Sequence, residues 1–273
     1  MKTKEKSDLE ILIEEIRKPM EELQAQFIFP DEFKTTIKRL VKSIEVFKQN
    51  QFEIKIDFEA FNVIGEIIND YTQNVSSHTL LVSRHGWFID LIAPIDLPVN
   101  AYNLFKTGKI KEGNKIIGDY YNEYLDDVFD TLKKRHKRRK LILDDILKGY
   151  KEKKYRLIIP CIFTQIDGIC NDFTKNAFFI KERKNNHLPK ITPLIEAETE
   201  GFLKFYISPL QNQTPIMVHE KYLGDFPCKF NRHQIIHGSS VSYGSQINSL
   251  KAISFLKYLS DILSVLKKKK QGI

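Results

Sequence analysis

Along most of this chain apolar residues recur every three or four positions, the spacing of one face of an α-helix. Ser7 and Glu10 form a capping box, and Leu9, Leu12, Ile13, Ile16, Met20 and Leu23 follow as a first stripe. Phe33, Ile37, Leu40, Val41, Ile44 and Phe47 make a second. Asp57 can cap a third, which holds Phe58, Phe61, Ile64, Ile67, Ile68 and Tyr71. The alternation in QFEIKIDFE (51–59) also fits a short strand. Residues 75–100 interrupt the pattern. There SRHGWFIDLIAPIDLP holds the only tryptophan, and its Gly, Pro and Asp predict a buried loop or a strand with turns. Within it Arg84 and His85 could belong to a site, but they read better as a capping or packing pair.

Helical spacing returns over 113–183. Tyr120, Tyr124, Val128 and Leu132 lead into KKRHKRRK, and Leu141, Leu143, Ile146 and Leu147 resume the apolar face beyond it. The stretch YRLIIPCIFTQIDGICNDFTKNAFF (155–179) predicts a strongly apolar helix with Asp167 in its middle. Pro160 is expected in its first turn, where a missing N–H costs nothing. Residues 184–192 read as a loop and 194–206 as a short helix. Asp225 can cap a helix with Pro227 in its first turn, running through Phe230, Arg232 and Ile236 to a stop at Gly238. SSVSYGS then connects to a final amphipathic helix opened by Ser245 or Gln246. Its inward positions are Leu250, Ile253, Leu256, Leu259, Ile262, Leu263 and Leu266, and the tail KKKKQGI leaves the fold. The fold class is therefore mainly α, with little or no β. No clear linker divides the chain. Residues 1–150 form a helical region of unknown role, and 151–273 a second helical domain.

Composition places this pattern in a globular chain: 273 residues, 42% hydrophobic and 29% charged. No apolar run reaches the ~18 residues that span a bilayer, so no membrane partner is expected. The start, MKTKEKSDLEILIEEI, lacks the apolar core of a signal peptide. Cys161, Cys170 and Cys228 match no zinc module or disulfide framework, which fits a cytoplasmic protein with reduced thiols. The net charge of +8 is local: the run 133–140 carries seven of the cations, and the rest of the chain is close to neutral. Such a run suits either a solvated helix face or a polyanion whose counterions it releases. A second cationic run spans Lys267 to Lys270.

The densest chemistry lies in NRHQIIHGSSVSYGS (231–245). His233 and His237 are four apart, about 40° around a helix, so their rings share a face. Arg232 stands at its edge. Three readings fit these residues. His237 can cap the helix end while His233 packs. The pair can hold zinc, although no glutamate completes an HExxH motif and no Cys or acid stands at ligand spacing. Or the trio can handle phosphate, with arginine gripping a phosphodiester and histidine moving a proton.

The same residues carry a resemblance. Arg232-His233-Gln234-Ile235-Ile236-His237 matches the R-x4-H signature of the HEPN-domain ribonucleases. NRHQIIHG, YGS and NSLKAISFLKYL together are similar to bacterial HEPN proteins of the abortive-infection type, and IIPCIFTQIDGIC resembles the helix that opens their four-helix unit. The resemblance covers roughly 153–268 and leaves 1–150 unmatched. It implies a HEPN-like four-helix unit against which the N-terminal helical region packs, and a homodimer whose two motifs face each other. It also implies an endoribonuclease that needs no metal or cofactor. The 2′-hydroxyl would attack the adjacent phosphate, leaving 2′,3′-cyclic phosphate and 5′-hydroxyl ends. His237 would be the general acid or base, and Arg232 would stabilise the transition state. His233 would orient the phosphate or share the proton, and Asp167 would hold Arg232 or a histidine in place. Asn231 and Tyr243 are outer candidates. Lys133, Lys134, Arg135, Lys137, Arg138, Arg139 and Lys140 would steer RNA to the site, and a sensor or inhibitor protein would be a further partner. Such an enzyme would be a toxin or phage-defence effector. Members of the family that bind nucleic acid or nucleotides without cutting, or act as antitoxins, give the alternative. A DNA-binding helical protein is a third.

Overall fold

A computed structural model of the chain describes residues 74–94, 96–182, 188–199 and 202–270. The three helices expected between residues 7 and 71, and the short strand weighed at 51–59, lie outside these. The described chain is 70% helical and contains no sheet, so the mainly-α expectation holds. Helical residues 74–84 lead into α1 (Asp96–Lys106), α2 (Ile110–Glu123), α3 (Leu125–Arg135), α4 (Lys140–Lys151) and α5 (Tyr155–Thr174). The short helices α6 (Thr192–Glu198), α7 (Phe202–Tyr206) and α8 (Arg232–Ile236) follow, and α9 (Gln246–Lys270) closes the fold. Among the described residues no helix is long and apolar enough to cross a membrane.

Each of α2 to α5 buries one stripe, as its spacing requires. Gly113, Ile117, Gly118 and Tyr121 face inward from α2, and Leu125, Val128, Phe129 and Leu132 from α3. These helices, with α5, pack around α9, which lies most extensively along α5. One hydrophobic core runs from Val75 to Leu266 and takes residues from both sides of position 150. The expected continuous helical stretch is broken at Tyr124, at His136 and at Glu152–Lys154. At the last break Lys153 takes a positive φ of 59°, and its N–H and that of Lys154 donate to the carbonyls of Tyr150 and Gly149.

Helix α9 departs from the amphipathic expectation. Its seven expected apolar positions are buried, but so are Lys251, Ser254, Lys257, Ser260 and Asp261. It is a central helix, not a surface one, and it continues through Lys270, where the tail was expected to leave the fold. The polar side chains have a purpose. Residues 87–91 run through the core beside α9 without helix or sheet, so their backbone groups need side-chain partners. Phe88 N–H donates to Ser254 Oγ (3.2 Å), Asp90 N–H to Tyr121 Oη (3.1 Å) and Leu91 N–H to Asp261 Oδ2 (3.2 Å). The Tyr121 hydroxyl donates to Phe88 O (2.6 Å) and that of Tyr206 to Asp90 O (2.8 Å).

Charge is balanced in the same place. The fully buried Lys257 Nζ donates to both Asp261 oxygens (2.8 and 2.7 Å) and lies 3.9 Å from Asp90 Oδ1. Arg135 of α3 pairs with Asp261 from the other side. Burial pushes the Asp90 carboxyl above its usual range. Against the same burial, Lys257 and Arg135 hold Asp261 below its own. Removing one partner of a buried ion pair leaves the others uncompensated. Lys257→Met is expected to lower the unfolding free energy by about 3–5 kcal/mol, read from urea midpoints.

Candidate functional site

The helix that carries the motif is shorter than its sequence suggests. Asp225 ends a 3-10 helix (Glu220–Asp225) instead of opening an α-helix. Lys229 Nζ donates to the carbonyls of Leu223 (3.0 Å), Gly224 (3.0 Å) and Phe226 (2.8 Å) and so closes that turn. The chain stays non-helical until Asn231, which is the true N-cap. Its Oδ1 accepts the Gln234 N–H (3.0 Å), and its Nδ2 donates to Pro215 O (2.7 Å) and Val218 O (2.9 Å). Asn231 is 1% exposed, and its amide is committed to holding α8 in place. Gly238, at φ 76°, stops the helix as expected.

Two pairs form: Arg232 with Asp167 on the α5 side of α8, and His233 with His237 on its other face. Arg232 Nη2 lies 3.6 Å from Asp167 Oδ2, each side chain 24% exposed. The guanidinium also lies over the Phe179 ring at 4.7 Å, and its Nε is buried without a hydrogen-bond partner. Asp167 Oδ1 accepts the Phe179 N–H (2.9 Å), which fixes the carboxylate. Burial raises the Asp167 pKa, opposed by that N–H and by Arg232. The His233 ring lies tilted against that of His237 at 4.4 Å and that of His219 at 4.9 Å. Burial, then the neighbouring His237 and His219, lowers the His233 pKa. Its imidazole therefore favours the neutral form, able to accept a proton.

Three further residues join this group. His219 caps the 3-10 helix with Nδ1, which accepts the Lys221 N–H (3.3 Å) and leaves the proton of a neutral ring on Nε2. Phe179 supplies the ring under Arg232. Lys181 is half-buried beside it, its pKa lowered by burial and by Arg232. No local pattern in the sequence pairs these with α8; His219 is far upstream of His233, and only the packing of the 3-10 helix joins them. Among the described residues no group of three or more His, Cys, Asp or Glu side chains is arranged to hold a metal ion.

Tyr243 shares a cavity wall with Asn231 and Ile235, and its hydroxyl is committed to α5. Helix α5 starts at Tyr155, so Pro160 sits inside it and not in its first turn. Its missing N–H frees the carbonyl of Arg156, four residues back, and the Tyr243 hydroxyl donates to that oxygen at 3.0 Å.

The basic run is divided by the fold. His136 ends α3, a 3-10 turn spans Lys137–Arg139, and α4 begins at Lys140. Three of the seven cations turn inward. Lys133 pairs with Asp130 and Asp144 at 3.0 Å each, Arg135 with Asp261, and Arg139 with Asp172 (2.9 Å) and Gln165 (3.0 Å). Lys134, Lys137, Arg138 and Lys140 remain exposed. Gln165 and Asp172 lie on one side of α5, and Asp167, about 200° around from Gln165, lies on the other. Arg138 and Arg139, which pair with Asp172, therefore approach α5 on the side away from Asp167.

No family model, curated protein or solved structure matches this chain.

Two measurements follow from these placements. Tyr243→Phe leaves the Arg156 carbonyl to water and is expected to cost about 0.5–1.5 kcal/mol in thermal or urea unfolding. His136, buried with Nε2 2.7 Å from Ser260 Oγ, has its pKa lowered from 6.5 to about 4 by burial and by Arg135 and Arg139. The unfolded chain takes up this proton near the ordinary value, and the folded chain only near 4. Its contribution is complete above pH 6.5 and declines as pH falls toward 4. The urea midpoint should fall between about pH 7 and about pH 5, and fall less in His136→Asn.

Proposed function

We propose that this chain is a metal-independent endoribonuclease of the HEPN R-x4-H type, acting as a toxin or phage-defence effector. The observation that carries this reading is the pair of imidazoles, His233 and His237 (ring centroids 4.4 Å apart), on the short helix whose first residue, Arg232, lies 3.6 Å from Asp167. These are the groups that phosphodiester cleavage by an internal hydroxyl requires. An imidazole takes the proton of the ribose 2′-hydroxyl, and the oxygen attacks the adjacent phosphorus. The bond to the 5′-oxygen breaks, and that oxygen takes a proton. Arg232 meets the charge that gathers on the phosphoryl oxygens.

His237, exposed at the C-terminal end of α8, serves as the general acid or base. His233, shifted toward its neutral form, shares the proton transfer or orients the phosphate. Asp167 holds Arg232, and His219 extends the imidazole row. Pairing of two copies across this surface, with RNA between them, belongs to the same reading. Lys134, Lys137, Arg138 and Lys140, exposed around the turn between α3 and α4, would contact the backbone of a longer RNA.

Incubation of total RNA with the purified protein in EDTA tests this. The wild type should leave 2′,3′-cyclic phosphate ends, and His237→Ala should lose about 10²–10⁴-fold in rate. Binding of RNA by both proteins with equal, salt-sensitive affinity and no cleavage by either would sink the nuclease reading in favour of a binding module. Growth arrest on expression, relieved by the same substitution, covers an enzyme that needs a trigger present only in the cell.

A further inference from the structure

A cavity of about 350 Å3 lies behind α8. Its walls include His85, Cys228, Ile235, Ser240, Ser242 and Lys251. Ile235 is two positions from both His233 and His237, so it faces the other side of the short helix. The cavity is thus distinct from the imidazole row, although α8 borders both. Its volume is that of a small-molecule site.

The unusual feature is Lys251. It is 6% exposed, one turn into α9. Its Nζ makes one hydrogen bond, to Cys228 Sγ at 3.4 Å, and lies 5.6 Å from the Trp87 ring. A thiol is a weak acceptor and brings no charge. No carboxylate among the described residues lies within ion-pair distance. The other buried lysine of α9, Lys257, has Asp261 and Asp90. Lys229, also in the cavity wall, is committed to its three backbone carbonyls. Among the described residues Lys251 meets the cavity as a buried amine with no carboxylate beside it, a condition that an anion relieves.

The surroundings hold that ammonium in position. Gly86 takes a φ of 85°, and a Cβ there would stand 2.9 Å from Cys228 Sγ and 3.2 Å from Lys251 Cδ. The glycine leaves the space in which the lysine stem lies. Ser240 and Ser242 add hydroxyl donors at the cavity wall. His85, stacked on Phe105 at 3.9 Å, is kept uncharged by burial, by Lys251 and by Arg84, with its pKa lowered to about 4. It can donate one N–H without adding charge.

We propose that this cavity binds a small organic anion, with a phosphate or carboxylate group seated against Lys251. The proposal does not rest on ribonuclease activity, and its test reads binding alone.

The full-length protein is titrated with inorganic phosphate and with acetate at constant ionic strength, by calorimetry and by thermal melting. Three proteins are compared: wild type, Lys251→Met and His237→Ala. At least one anion should bind the wild type and raise its melting temperature. Lys251→Met keeps the stem and removes the charge. It should melt at or above the wild-type temperature without anion and bind at least tenfold more weakly. His237→Ala should keep the binding that Lys251→Met loses. Absence of binding by either anion overturns the proposal. So does unchanged binding by Lys251→Met, or binding lost in His237→Ala and kept in Lys251→Met, which would move the anion to the imidazole row. If Lys251→Met does not fold, Ser242→Trp on the exposed rim asks the same question. Loss of binding there supports the cavity, and wild-type affinity overturns it.

Discussion

A buried backbone segment must have its polar groups satisfied, and residues 87–91 make that requirement central to this fold. They cross the core with neither helix nor sheet to pair them. Tyr121 of α2, Tyr206 of α7, and Ser254 and Asp261 of α9 supply the partners. Once Asp261 is drawn into the core as an acceptor for Leu91 N–H, its charge needs compensation, and Lys257 and Arg135 provide it. Asp90, within the segment itself, joins them. The result is a central helix that is polar and charged on its second face yet buried there. Helices α3 and α7 are bound to α9 by polar as well as apolar contact, and α2 reaches it through the segment at Phe88 and Asp90.

The candidate site is built from the opposite kind of element. Helix α8 is five residues long and would not form alone. Asn231 gives it an N-terminus and ties it to the turn at Pro215–Val218, while Arg232 anchors its side to α5 through Asp167 and Phe179. His233 and His237 are left on the free face, where His219 adds a third ring. Rigid anchoring below an open face suits residues that must meet a substrate in fixed geometry. The loop that leaves α8 also serves α5, since Tyr243 takes the carbonyl that Pro160 leaves unpaired.

Several of these features were legible in the sequence. Apolar spacing marked inward residues of α3, α4 and α9, although Tyr124 and Leu141 of the same series are exposed, and Gly238 marked the end of α8. Arg232, His233 and His237 were singled out by spacing alone, and Asp167 by its place in an apolar helix. Other features were not legible because they depend on partners distant in the chain. Pro160 gives no sign that a tyrosine hydroxyl will stand in for its N–H. KKRHKRRK looks like a uniform cationic face. Yet Lys133, Arg135 and Arg139 each find an acid or amide on another part of the fold, so four of the seven cations remain exposed.

By itself, then, the sequence determined a helical chain, the apolar stripes of α3, α4 and α9 and the close spacing of the R-x4-H residues, but it missed the helix at 74–84 and the start of α1, where a loop or strand was expected. Periodicity and capping are local properties, set by neighbours within one or two turns. Tertiary structure decided which polar residues are buried, which charges are neutralised, where α8 begins and that His219 stands beside His233. Those outcomes depend on hydrogen bonds and ion pairs between segments far apart in the chain, and no local spacing encodes them.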